Sequence, residues 1–148
     1  MNVLAWFDSI NVSYQILIYP STITAAADAA KFLGIEQDQM LKSLLIKAGE
    51  EFVMILVPLT QRLDMLAMAN YFQVKKARMA TPDEVFATTG YQVGYTCPFL
   101  LKNPVPVFLA KAAESYQKIA ISSGEPGQEI MITLEDLIKV TQLTVLTI

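Results

Sequence analysis

The chain has no histidine and one cysteine, Cys97, among its 148 residues. Its reactive groups are therefore lysines, carboxylates, hydroxyls and backbone amides, together with whatever a substrate brings. Ser-His-Asp and Cys-His nucleophilic catalysis, and zinc held by histidine or several cysteines, are excluded. A lone thiol with an ordinary pKa of ~8.5 and no base beside it is mostly protonated at neutral pH, so Cys97 is not expected to act as a nucleophile. No Asp-x-Asp cluster suggests a magnesium or calcium site, and no metal or cofactor is expected. What remains is a constellation of three parts. Lys42 opens the strand-like run Lys42-Ser43-Leu44-Leu45-Ile46. Gly90 and Gly94 stand four residues apart, with Pro98 four further on. A second tight loop reads Ser122-Ser123-Gly124-Glu125-Pro126-Gly127. A lysine at the inner end of a strand is costly to bury unless it meets an anion or polar ligand. Glycines give loops whose backbone N–H groups a ligand can approach closely. One cation beside two such loops describes a pocket for an ester or phosphate oxygen. Taken singly, each loop could equally be an ordinary turn into a strand.

The elements that must position these groups alternate short helices with strands. Met1–Ser9 predicts a helix, and Ser13–Tyr19 a strand stopped by Pro20. The hydroxyls of Ser21–Thr24 predict a cap for a helix over Ala25–Leu33 that ends at Gly34. Lys42–Ile46 and Phe52–Pro58 predict a hairpin through Ala48-Gly49-Glu50. Asp64–Phe72 predicts a helix with Met65, Leu66, Ala69 and Phe72 on its packed face, the methionines serving as core rather than ligands. Thr81-Pro82-Asp83-Glu84 spells a capping box with proline at the first helical position, and that helix delivers the chain into the Gly90 loop. Strands are expected at Val105–Ala110, Lys118–Ser122 and Glu129–Ile132. A helix over Leu134–Val140 capped by Thr133 follows, then a terminal strand within Leu143–Ile148. The expected fold class is α/β (α+β): a single domain over residues 1–148, with one mixed, mostly antiparallel sheet and flanking helices.

The net charge of −3 argues against a protein that holds nucleic acid by a strong overall positive field. Lys75, Lys76 and Arg78 are nevertheless grouped and could dock one end of an RNA, or simply be a solvated surface. The longest apolar runs, such as Phe52–Leu59, are far too short to span a bilayer. Asp8 and Asn11 fall where a secretory signal would be apolar. A cytoplasmic, soluble protein is expected.

In order and spacing, these residues resemble the YbaK/prolyl-tRNA synthetase editing-domain superfamily of aminoacyl-tRNA deacylases. The likeness runs through the strand ending at Tyr19, Leu33-Gly34, Asp38-Gln39, Lys42-Ser43-Leu44-Leu45, Arg62-Leu63-Asp64 and Thr89-Gly90-Tyr91-Gln92-Val93-Gly94 to Pro98. By that resemblance Lys42 contacts the aminoacyl ester or the terminal adenosine, and the Gly94 amide helps hold the reacting group. Tyr19, Ser122 and Glu129, the last usually an aspartate, line the pocket. Tyr95, Thr96, Pro98 and Gly124 are placed at the substrate with them. The resemblance implies hydrolysis of mischarged aminoacyl-tRNA in trans, with water activated largely by the substrate's own 2′-hydroxyl. Its partners are then the 3′ end of an aminoacyl-tRNA and an aminoacyl-tRNA synthetase. The chain departs from the family pattern at Tyr95, Leu100, Ala110-Lys111 and Ser123. A ring at Tyr95, if inward, narrows the pocket toward alanine, serine or cysteine. A non-catalytic module that binds tRNA ends, a nucleotide or a protein on the same fold is the alternative.

Overall fold

The computed structural model describes residues 1–147. The strands divide between two sheets. β2 (Leu41–Ala48) and β3 (Glu51–Pro58) form the expected hairpin, in register from Leu41 opposite Pro58 to Ala48 opposite Glu51. They lie at the centre of a five-stranded sheet with β4 (Ala77–Met79), β5 (Val107–Leu109) and β8 (Thr144–Val145), in the order β4-β2-β3-β5-β8. β5 runs parallel to both β3 and β8, so this sheet is mixed. The second sheet is antiparallel, in the order β1-β7-β6, from β1 (Gln15–Ile18), β6 (Lys118–Ser122) and β7 (Gln128–Thr133). A single parallel bridge between Met40 and Ala120 joins the two sheets. One continuous sheet was the expectation; strand pairing over tens of residues is decided by packing, which local patterning does not report.

Among the described residues five α-helices flank the sheets: α1 (Val3–Ser9), α2 (Ala26–Leu33), α3 (Met65–Tyr71), α4 (Pro82–Thr89) and α5 (Leu134–Thr141). Their ends follow local chemistry with one exception. Asn2 caps α1, Asp64 caps α3 and Thr133 caps α5 through side-chain oxygens. Thr81 and Glu84 complete the capping box of α4, and Gly34 closes α2 in the left-handed conformation. The hydroxyls of Ser21–Thr24 do not cap α2; Ala25 holds that position without a side-chain hydrogen bond. The packed face of α3 also differs from expectation. Leu66 is 71% exposed and Met68 is buried in its stead, while Ala69 is buried as expected. β8 lies within the expected terminal strand, of which Ile148 falls outside the described residues.

The largest apolar cluster lies between the sheets. It gathers Leu41, Leu45, Met54 and Leu56 from the hairpin with Ile119, Ile121, Ile130 and Ile132 from β6 and β7, and is closed by Phe7, Val85 and Phe99. Among the described residues no helix is long and apolar enough to cross a membrane.

Candidate active site

The site is set by a gap along one edge of β2. β3 covers the other edge over the whole strand. On the near edge, β6 approaches at Met40 and β4 pairs only with Ile46, Lys47 and Ala48. The stretch between, Lys42–Leu45, lines a cavity of about 430 Å³. The start of α2 (Thr24, Ala26), the approach to α4 (Met79, Ala80, Pro82), Val85 and the glycine loop (Val93, Gly94, Thr96) form its remaining walls. Lys42 is half-buried there and takes no part in an ion pair; the one pair among the described residues joins Arg78 to Glu84. Beside it the Ser43 hydroxyl is buried without a hydrogen-bond partner. A buried, unpartnered polar atom costs roughly 1–3 kcal/mol, a cost that a bound polar group would relieve.

The glycine loop is held from both ends. Gly90 terminates α4 at φ +84°, its N–H donating to the Phe86 carbonyl. The Thr89 hydroxyl donates to the Val85 carbonyl at 2.7 Å and accepts from the Tyr91 N–H at 3.0 Å. On the return side Asn103 donates to the Thr88 and Ala87 carbonyls, and Lys102 N–H to that of Thr89. The Tyr91 hydroxyl donates to the Phe99 carbonyl across the loop. At its tip Gly94 has φ +106°, and a Cβ built there would meet no atom within 4 Å. The glycine is therefore required by backbone conformation rather than by crowding, and its backbone faces open cavity. Leu100 sits at φ +52°, in the left-handed region where a side chain costs roughly 1–2 kcal/mol.

Behind the loop lies a ring of buried polar groups on the three-stranded sheet. Ser122 and Glu129 face each other across β6 and β7. The Ser122 hydroxyl donates to the Tyr95 carbonyl at 2.9 Å and accepts from the Gly124 N–H at 3.1 Å, coupling the second loop to the first. Glu129 is 8% exposed, and its Oε2 is buried without a partner. Burial pushes its pKa up to about 7. Tyr19, half-buried at the end of β1, has its phenol pKa raised by burial and then by the Glu129 charge. Cys97 is fully buried, and burial lifts its thiol to about 11. Such a thiol is neither ionised nor accessible, so Cys97→Ser should keep the parent's activity within a few-fold; a thousandfold loss or a trapped thioester would show that the sulfur reacts.

The structure thus brings Lys42, Gly94 and Thr96 together in one cavity. Ser122 stands one step behind, holding the loop, while Pro98 is buried within it. Gly124 packs under the Tyr91 ring, where a Cβ would come within 2.5 Å of Cε1, and lines a separate depression with Gly90 and Leu100. Of the two orientations open to Tyr95, the inward one is not seen: Tyr95 is half-buried but forms no part of the cavity wall. Its carbonyl is tied by Ser122, and Val93 and Thr96 take the lining positions instead. Lys75, Lys76 and Arg78 lie together in a second basin with Lys47. Sequence reasoning missed the wall residues Met79 and Val85 and the unpartnered Ser43. Only Ser43 had a signal in the chain, its place beside Lys42.

Comparison with known proteins agrees with this geometry. The aminoacyl-tRNA editing domain family matches residues 20–140. A protein of Enterococcus faecalis provisionally named Cys-tRNA(Pro)/Cys-tRNA(Cys) deacylase EbsC is 32% identical over 120 residues, covering 79% of this chain and 72% of that one. The proline–tRNA ligase of Trichlorobacter lovleyi is 34% identical over 103 residues, 69% of this chain but 18% of the ligase. A crystal structure provisionally described as a trans-editing enzyme for prolyl-tRNA synthetase superposes with a TM-score of 0.82 at 27% identity, covering 90% of this chain and 84% of that one. With Lys42 and the Gly94 loop meeting where β2 is left uncovered, the chain belongs to the aminoacyl-tRNA editing domain family.

Proposed function

We propose that the protein hydrolyses the ester of a mischarged aminoacyl-tRNA in trans, removing a small amino acid such as alanine, serine or cysteine. The observation that carries this reading is the meeting of Lys42, unpaired among the described residues, with the open Gly94 backbone in one cavity. The ammonium supplies positive charge where the ester carbonyl develops negative charge, and a backbone N–H of the loop can add a fixed dipole at the same oxygen. The cavity wall carries no carboxylate and no histidine. The water-orienting role falls, on this reading, to a neighbouring substrate hydroxyl, which the chain's lack of histidine supports. Preference for a small side chain rests on volume. About 430 Å³ is near the low end of the ~300–1,000 Å³ of small-ligand sites, and it must take the ester and part of the terminal adenosine as well.

Single-turnover deacylation of tRNAs charged with alanine, serine, cysteine and larger amino acids tests the reading; no turnover of any of them would leave a binding module on the same fold. The wall predicts how selectivity changes. Met79→Ala removes an exposed wall residue and should raise the rate ratio of larger to small aminoacyl esters by about tenfold. Tyr95→Gly should leave that ratio near the parent value because its ring is outside the wall. The opposite ranking would place the selectivity at Tyr95.

A further inference from the structure

A second basin, of about 350 Å³, opens at the far end of β2. Lys47, Gly49, Glu50, Lys75, Lys76 and Arg78 line it. Three connections make it a shaped surface rather than a scatter of lysines. Lys47 and Arg78 are direct partners across β2 and β4. The Gly49 N–H donates to the Lys76 carbonyl at 2.9 Å, fixing the hairpin tip against the segment that carries Lys75 and Lys76. The Lys47 ammonium lies 5.7 Å from the centre of the Phe52 ring, its cross-strand neighbour. Arg78 is committed elsewhere: Glu84 takes both its terminal nitrogens, at 2.7 and 2.9 Å. Four cations against Glu50 and Glu84 leave an excess of two positive charges here, in a chain whose net charge is −3. The positive field is local, so it favours an anion at this place and not over the surface at large.

The position matters as much as the charge. Alternation along β2 puts Lys42 and Lys47 on opposite faces, but the cavity, lined by all of Lys42–Leu45, and the basin, where β4 pairs at Ile46–Ala48, follow one another along the same edge of the strand. Met79 lines one and Arg78 the other, as consecutive residues of β4. Five residues of strand separate Lys42 from Lys47, a distance of ~17 Å. We propose that Lys47, Lys75 and Lys76 bind backbone phosphates of the substrate RNA a few nucleotides from the esterified end, with β2 setting the separation between the ester site and the phosphate site. This rests on the deacylase reading only for the identity of the polyanion as RNA. Lys47, which no grouping in the chain marks, joins Lys75 and Lys76 through strand pairing, while Arg78 acts as a wall because Glu84 neutralises it.

The test uses the full chain and an uncharged, fluorescently labelled RNA hairpin with a single-stranded 3′ tail, its affinity read by anisotropy between 50 and 200 mM salt. In Lys47→Gln/Lys75→Gln/Lys76→Gln the slope of log affinity against log salt should fall by about 2, since each lost phosphate contact to a single strand contributes ~0.7. Hydrolysis of an aminoacyl ester of adenosine alone should proceed at the parent rate, because that substrate does not reach the basin. A control of equal charge change, Lys111→Gln/Lys118→Gln/Lys139→Gln, should leave the slope unaltered. An unchanged slope in the first triple variant, or an equal fall in the control, overturns the proposal. Should the parent protein hydrolyse no aminoacyl ester, the deacylase reading fails by itself, and the salt slopes still decide this one.

Discussion

Lys42→Ala is expected to slow single-turnover deacylation by about a hundredfold or more, the usual consequence of removing one preorganised group from a developing oxyanion. Its urea midpoint should stay close to the parent's. Lys42 is half-buried at an uncovered strand edge and makes no ion pair among the described residues, so its removal neither empties the core nor strands a carboxylate there. Lys42→Arg should restore little. The guanidinium is broader than an ammonium, and its planar fork suits two parallel acceptors rather than one oxygen. The cavity is walled close by at Leu44, Val85 and Val93. Rate and stability separate the two roles a strand lysine can have. An unchanged rate with a lower midpoint would make Lys42 structural, and an unchanged rate alone would remove it from the mechanism.

The second large effect is on stability. Glu129 is buried beside no cation, and its pKa is raised from 4.5 to about 7 by that burial. Between these values the folded protein keeps a proton that the unfolded chain has released. Stability is therefore greatest below about pH 4.5 as far as this group is concerned, falls as pH rises, and levels off above about 7. The loss amounts to roughly 3 kcal/mol at 1.36 kcal/mol per unit. Glu84 works in the opposite sense: Arg78 holds its carboxyl down to about 2, so its contribution is lost only as pH drops below about 4.5. Urea midpoints at pH 5 and pH 8 isolate the Glu129 effect. The parent should be more stable at pH 5, and Glu129→Gln should flatten the difference by raising the pH 8 value. Equal midpoints in the parent would mean that the carboxylate is better solvated than its surroundings imply.

Much of this protein could be read from local chemistry. The capping box at Thr81 and Glu84, the left-handed glycines that end α2 and α4, and the tight β2–β3 turn depend on residues a few positions apart. Those interactions form wherever the residues occur. The absence of histidine bounded the mechanism before any fold was known, since it is a property of the inventory alone. The ordered run from Lys42 through Gly94 to Ser122 placed the chain in its family, and the structure puts the first two in one cavity. Four features had no such local origin. The division into two sheets depends on which strand edges meet, and those edges come from β6 and β2, far apart in the chain. Leu66 points outward on α3 because the neighbours that bury Met68 and Ala69 are tertiary. Tyr95 lies outside the wall because a hydroxyl 27 residues away holds its carbonyl. Lys47 joined the basic basin only when β4 paired with β2. Side-chain identity and short spacing decide turns, caps and the available chemistry. Which side chains face a common space is decided by contacts whose partners are far apart along the chain, and those contacts exist only once the core has formed.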